Sequence, residues 1–399
     1  MTSPFQFNRM EAAGSLGDLG TLLPIAMGMI MINGLSPSGL FFSIGAFYIL
    51  SGLYFRTPTP VQPMKVIGAY AVAMSLSPSQ ISGAGLLMGL LLLIIGLSGA
   101  IKLAGRYIPR ATVRGVQMST GVLLTVQGVK FVLGTSGHQA LQGAAEPFLR
   151  LQSLGPVPIG VIIGLIGTLI ILFLLDSKKL PAALVAIVFG LSAGLILGKP
   201  GGFEGIRIGF RLPDILPFGF PTQADLSFAL IFLVLPQLPM TMGNAVIANA
   251  DLARRYFGEK AKKTTHPALC LSMGLANLLC FFTGGMPLCH GAGGLAAHYR
   301  FGARAAGSNL IIGAVFLCLA LFLGPHALAV LKLIPFSMLG ALLIFAGIQL
   351  GLSILDVKEK KDLFVVLLMA GVTLASNLAV GFGAGIVAAY MLQSGRLKV

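Results

Sequence analysis

Charge is what this sequence has least of. Only 10% of its 399 residues are Asp, Glu, Lys or Arg while 56% are hydrophobic, whereas soluble domains carry about 25% charge, so a water-soluble globule is excluded. Cysteine is scarce as well. Cys270, Cys280, Cys289 and Cys318 lie in apolar segments without CxxC spacing, which excludes the common zinc and redox arrangements and leaves four packing residues. The five histidines are scattered and no pair of carboxylates shares a segment, so neither a metal cluster nor an acid–base pair is spelled out. No Gly-rich stretch runs into Gly-Lys-Ser/Thr, which excludes a phosphate loop. The residues before Gly14 lack a basic region, an apolar stretch and a small-residue cleavage site, so no removable signal peptide is read. An enzyme is left without a catalytic constellation, and no cofactor is implied.

Apolar length is what the sequence has in abundance. Gly83–Ile101, Pro158–Leu175, Leu226–Ala248 and Leu363–Ala379 are each long enough to cross about 30 Å of hydrocarbon. The pattern predicts an all-α polytopic membrane protein with fourteen spans, at 14–33, 39–55, 63–77, 83–101, 112–132, 157–175, 181–198, 226–248, 266–282, 287–299, 307–323, 334–350, 363–378 and 380–394. An even count puts both termini on one side. With that side cytoplasmic, the inside loops hold eighteen basic residues, from Lys102, Arg106, Arg110 and Arg114 through Lys178, Lys179, Arg254, Arg300 and Lys361 to Arg396 and Lys398, while Lys130, Arg150, Lys199, Arg207, Arg211 and Lys332 lie outside. That asymmetry is the positive-inside rule at work. The net charge of +15 is therefore topological, with the bilayer and not nucleic acid as the partner. A cell (inner) membrane is the expected location.

The polar interval from Lys199 to Asp225 falls midway along the chain. It divides residues 1–199, with seven spans, from residues 226–399, with seven more, and residues 200–225 form the linker. Because seven is odd, the second half must sit upside down relative to the first, the inverted-repeat plan of many secondary transporters. Pro24, Pro63 and Pro109 find counterparts in Pro239, Pro287 and Pro335.

Two stretches break the helical pattern. In Arg56-Thr57-Pro58-Thr59-Pro60-Val61-Gln62-Pro63-Met64-Lys65 three alternating prolines favour extended chain, and Pro63 suits a helix start partway into the membrane. Its mate is Gly284-Gly285-Met286-Pro287-Leu288-Cys289-His290-Gly291. In an inverted repeat these half-helices, segments 3 and 10, point their N-termini at one midplane spot, and helix N-termini attract anions. Pro63, Met64, Pro287, Leu288 and Cys289 would border that spot. Lys65 in a helix first turn opposes the macrodipole, and a Lys at membrane depth costs about 3 kcal/mol; it needs a substrate anion, a pairing with Asp18 or an escape to the interface. Asp18, in a Gly-rich segment, is a proton-coupling group or a structural partner for Lys65. Gln62, Thr21, Gln237 and Asn244 offer neutral donors to an anion, or serve backbone and helix contacts instead. Gln237 and Asn244 stand seven residues apart, on one helix face. His290 either bonds the anion or is satisfied by backbone, and His298 is expected at the inner interface.

At these residues the chain resembles the molybdate transporter family within the sulfate permease superfamily. The resemblance rests on Gly17-Asp18-Leu19-Gly20-Thr21, Pro60-Val61-Gln62-Pro63-Met64-Lys65, Pro236-Gln237-Leu238-Pro239, the run Met286 to Ala296, and Tyr299-Arg300-Phe301-Gly302-Ala303-Arg304. It implies a core domain of spans 1–4 and 8–11, a gate domain of spans 5–7 and 12–14, and molybdate as substrate, with sulfate as the alternative; tungstate shares their shape and charge. The sequence passes from its last span to Val399, and the expectation is the branch without a cytoplasmic STAS domain. His298 stands where the family pattern leads one to expect Gln. A nucleobase permease of the same fold would place a carboxylate in span 8 or 10, and neither apolar stretch has one. A homodimer is compatible with the sequence, which does not set the oligomeric state.

Overall fold

The computed structural model describes residues 3–100, 109–177, 180–199 and 208–394. Lys102, Arg106, Lys178, Lys179, Arg207, Arg396, Lys398 and the linker's first residues, 200–207, lie outside them. In chain order the main helices are α1 (Arg9–Ser15), α2 (Leu19–Met31), α3 (Pro37–Phe55), α4 (Lys65–Met74), α5 (Pro78–Ser98), α6 (Arg110–Leu133), α7 (Ile159–Leu174) and α8 (Ala182–Leu197). The second half continues with α9 (Gln223–Ala261), α10 (His266–Thr283), α11 (Ala292–Arg300), α12 (Gly307–Leu323), α13 (Phe336–Gly351), α14 (Lys360–Ala375) and α15 (Leu378–Gln393). Four two-residue strands join them: β1 (Gln62–Pro63), β2 (Ser153–Leu154), β3 (Val157–Pro158) and β4 (Leu288–Cys289). Among the described residues, six helices are long and apolar enough to cross a membrane, or seven if α1 and α2, bent by 40°, count as one span. Five further apolar helices are shorter, of 10–17 residues. The chain is an integral membrane protein.

The helix starts follow from local chemistry. Ser36 caps α3 by accepting the Gly39 N–H, with Pro37 in the first turn, and Ser77 and Gln80 form a reciprocal capping box on α5. Pro109, Pro158, Pro181 and Pro335 occupy the cap positions of α6, α7, α8 and α13. Other prolines lie inside helices, Pro24 within α2 among them. Pro236 and Pro239 lie within α9, which runs on to Ala261 because wider π-type turns at Ala229–Val234 and Thr241–Ala248 flank them. The helix thus absorbs the missing N–H groups instead of breaking.

Packing pairs α13 with α6, α10 with α5, and α12 with α3. Along the α6–α13 seam a Cβ on Gly128 would lie 2.6 Å from the Gly340 carbonyl oxygen, and one on Gly121 2.6 Å from that of Gly347. Only glycine lets these backbones touch. Two buried carboxylates tie distant segments. Glu11 accepts the N–H groups of Arg304 (2.9 Å) and Ala305 (3.0 Å), and Glu146, from the loop after α6, accepts those of Phe336 and Ser337, both at 2.8 Å. Glu146 thereby caps α13. All four cysteines are free, three of them buried and Cys318 exposed.

Candidate functional site

The two unwound stretches meet. β1 and β4 pair antiparallel, Gln62 opposite Cys289 and Pro63 opposite Leu288, and the Met64 N–H donates to the Pro287 carbonyl at 2.8 Å. Extended backbone at membrane depth must be satisfied by protein, and two asparagines do this. Asn309 of α12 accepts the Thr59 N–H (2.9 Å) and donates to the Thr59 carbonyl (2.7 Å); Asn277 of α10 treats Leu288 in the same way, at 3.1 and 2.9 Å. The N-termini of α4 and α11 emerge from this clamp.

A cavity of about 600 Å³ opens beside them. Asp18, Thr21, Lys65 and Asn244 line it, together with Gly293. Its other end is walled by Arg114, Asp176, Ser177, Arg300 and Ser353, at the loop ends of α6, α7, α11 and α13. Among the described residues the Lys65 ammonium makes no ion pair and no hydrogen bond. It stands 3.8 Å from where a Cβ on Gly293 would be, over the first turn of α11. The N–H groups of Lys65, Ala292 and Gly293 are likewise without a partner among the described residues. A full positive charge and two helix N-termini therefore face one space.

Asp18 closes the other side. It sits between α1 and α2, fully buried, with Oδ1 accepting from Gln62 Nε2 (2.6 Å) and Thr21 Oγ1 (2.7 Å). Its Oδ2 has no hydrogen-bond partner among the described residues and presses on Gly294, where any Cβ would collide with the carboxylate.

The remaining candidates stand behind the cavity wall, for reasons the geometry supplies. Gln62 was expected to offer donors to the anion, but its Nε2 is held by Asp18 and Thr21 (2.9 Å), and only its unpaired Oε1 remains. Gln237 accepts the N–H groups of Val66 (2.9 Å) and Ile67 (3.3 Å) and donates to Thr241 (2.9 Å); it caps α4 and takes two N–H groups otherwise free for a ligand. Pro63, Met64, Pro287, Leu288 and Cys289 belong to the clamp and are not among the residues lining the cavity. His290 is fully buried, its Nδ1 on the Pro60 carbonyl (2.7 Å) and its Nε2 on Ser272 (3.0 Å), against Phe47. Both ring nitrogens are committed to structure. His298, expected at the interface, is buried between the Gly14 carbonyl (2.7 Å) and Tyr48 (3.3 Å). Sequence spacing missed Arg114, Gln117, Arg300 and Gln349 on the cavity wall. The clue available was Arg114 and Gln117, three residues apart and so on one helix face.

Comparison with known proteins follows the same lines. A family model described as "Molybdate transporter of MFS superfamily" matches residues 10–124 and 229–350. Molybdate transporter 2 of Arabidopsis thaliana is 33% identical over 96% of this chain and 87% of its own length. Among solved structures, murine Solute Carrier 26 family member A9, an anion transporter in the inward-facing state, superposes with TM-score 0.67 at 15% identity, over 99% of this chain and 70% of that one. The transmembrane domain of the cyanobacterial bicarbonate transporter BicA gives 0.63 at 18% identity, over 96% and 97%. At such identities these last two speak for the fold alone.

Proposed function

We propose that this chain, which belongs to the molybdate transporter family, is a secondary active transporter of a tetrahedral oxyanion, molybdate first, with sulfate and tungstate as the alternatives of like shape and charge. One observation carries the reading: the Lys65 ammonium, without an ion pair or hydrogen bond among the described residues, lines one cavity with Gly293 of the first turn of α11 and Asn244. A cation there opposes both macrodipoles unless an anion occupies the space between. Lys65, Asn244 and the N–H groups of Lys65, Ala292 and Gly293 form the proposed anion site. Asp18, steadied by Thr21 and Gln62, is the proposed coupling group.

Fourteen segments in a seven-plus-seven inverted repeat account for the packing. Exchanging the halves turns the α5–α10 pair into the α12–α3 pair, leaves α6–α13 in place and exchanges β1 with β4. The core would hold the anion and slide against a gate of α6–α8 and α13–α15. Arg300 of the core donates to the Asp176 carbonyl of the gate at 2.9 Å. The cavity mouth lies among the basic loops, so with both termini cytoplasmic this conformation is open inward.

Uptake of labelled molybdate by proteoliposomes tests the proposal. Saturable uptake competed by tungstate and sulfate is expected; uptake no faster than in empty liposomes under proton, sodium and counter-anion gradients would refute it.

A further inference from the structure

The gate side of the cavity carries an arrangement with a forced polarity. Arg114 of α6 grips Asp356, in the turn after α13, through both Nε (2.9 Å) and Nη2. Its Nη1 donates to Gln117 Oε1 at 2.8 Å, one turn further along the same helix. A guanidinium has no acceptor, so the amide atom facing it must be oxygen, and the two N–H donors of Gln117 are turned the other way. Gln117 is only 5% exposed, lines the cavity that Lys65 and Asn244 line from the core side, and its Nε2 has no partner among the described residues. The chain from carboxylate to guanidinium to amide leaves donors alone pointing into the cavity.

We infer that Gln117 is a gate-side ligand of the transported oxyanion, with Arg114 and Asp356 as its positioning residues. This rests on the reading of the cavity as an oxyanion site and adds a specificity-determining residue to it. Asp356 neutralises the guanidinium, so the gate offers the anion direction without net charge. That division suits a sliding core. A bare cation on the gate would hold the dianion back when the core leaves, whereas one neutral donor orients a tetrahedral oxygen and lets it go. A hydrogen bond from a neutral donor to a charged group corresponds to a change of about tenfold or more in affinity.

The test is molybdate uptake into proteoliposomes by the full-length protein and its variants, each checked for folding by thermal melting. Q117L, or Q117M should the leucine variant not fold, is expected to raise KM about tenfold with the maximal rate within about twofold. D356N, which leaves the Arg114 guanidinium uncompensated, should instead lower KM and slow the maximal rate, and D356E should restore both to the parent values. A parent-like KM in the Gln117 variants, or a D356N variant whose KM and maximal rate both match the parent's, would overturn the inference. If the parent protein itself takes up no molybdate, the transport reading fails instead, so the two failures are distinguishable.

Discussion

Lys65→Ala removes the one full positive charge at the convergence of α4 and α11, and its effects on the empty and the loaded protein have opposite signs. In the empty protein the ammonium lies over the first turn of α11 and in the first turn of α4, each an unfavourable placement of about 0.3–1 kcal/mol. At a pH where Asp18 is protonated, the variant should therefore melt no lower than the parent when no anion is present. In the loaded protein a unit charge pair at about 4 Å interacts by roughly 4 kcal/mol at an effective dielectric near 20, and truncating a charged hydrogen bond costs about 1.5–3 kcal/mol net. Taking about 3 kcal/mol, the molybdate Kd should rise roughly 100-fold, at 1.4 kcal/mol per decade. Ligand-induced thermal shift makes the difference visible. At molybdate near 100 times the parent Kd the parent gains about 2.7 kcal/mol and the variant only about 0.4 kcal/mol. Lys65→Arg should keep part of the affinity, since charge survives but a planar guanidinium replaces a compact ammonium. If calorimetry finds Lys65→Ala binding molybdate as tightly as the parent, the anion does not sit between these helix ends and the site reasoning is wrong.

Two further substitutions probe the buried carboxylates. Asp18→Asn keeps an acceptor for Thr21 and Gln62 while removing the titrating oxygen, so accumulation driven by a pH gradient should vanish while equilibrium exchange of molybdate persists; loss of both together with loss of folded protein would assign Asp18 to structure. Burial pushes the Glu146 carboxyl above its ordinary 4.5, against the opposing pull of its bonds to Ser337 and Phe336. A raised carboxyl contributes stability that is fully present below its unfolded pKa and lost as pH rises through the folded one. The melting temperature of the parent relative to Glu146→Gln should therefore be most favourable near pH 4.5 and decline toward neutrality, and a difference that grows toward neutral pH would contradict the burial argument.

Helix positions were legible in the sequence because apolar length and proline act locally. The spans expected at 39–55 and 181–198 appear as Pro37–Phe55 and Ala182–Leu197, and the half-helix after Pro63 begins at Lys65. What spacing could not reveal is which neighbour a polar side chain meets. Gln62 and Gln237 looked alike as donors, yet one turns to Asp18, 44 residues away, and the other to Val66, 171 residues away. His290 and His298 were ambiguous for the same reason, their partners at Pro60 and Gly14 lying 230 and 284 positions back. Glu146 left no local signal at all, since it sits in the loop after α6 and its partners start a helix 190 residues later. Periodicity reports the face a residue occupies on its own element, whereas the chemistry of this site is set by contacts between the two halves.

The charges of the proposed site come from one half of the chain. Lys65 and Asp18 both belong to the first half of the chain, while Asn244, Gly293 and the α11 terminus of the second half contribute only neutral donors and a dipole. With Asp18 ionised, its charge cancels that of Lys65 and both charges of a bound dianion stand uncompensated in a low-dielectric space. With Asp18 protonated, Lys65 offsets one of them and the other faces two helix N-termini, each equivalent to roughly half a positive charge. In this proposal proton and dianion favour one another's binding, a coupling that would be reciprocal by linkage. Asp18 Oδ2, buried without a partner against Gly294, is the oxygen on which such a proton would reside. The carboxylate's other oxygen is already occupied by Thr21 and Gln62, so the proton has one defined place to arrive and to leave. Molybdate and sulfate carry the same charge and differ in size, so discrimination between them falls to how far apart the core donors and the gate amide stand.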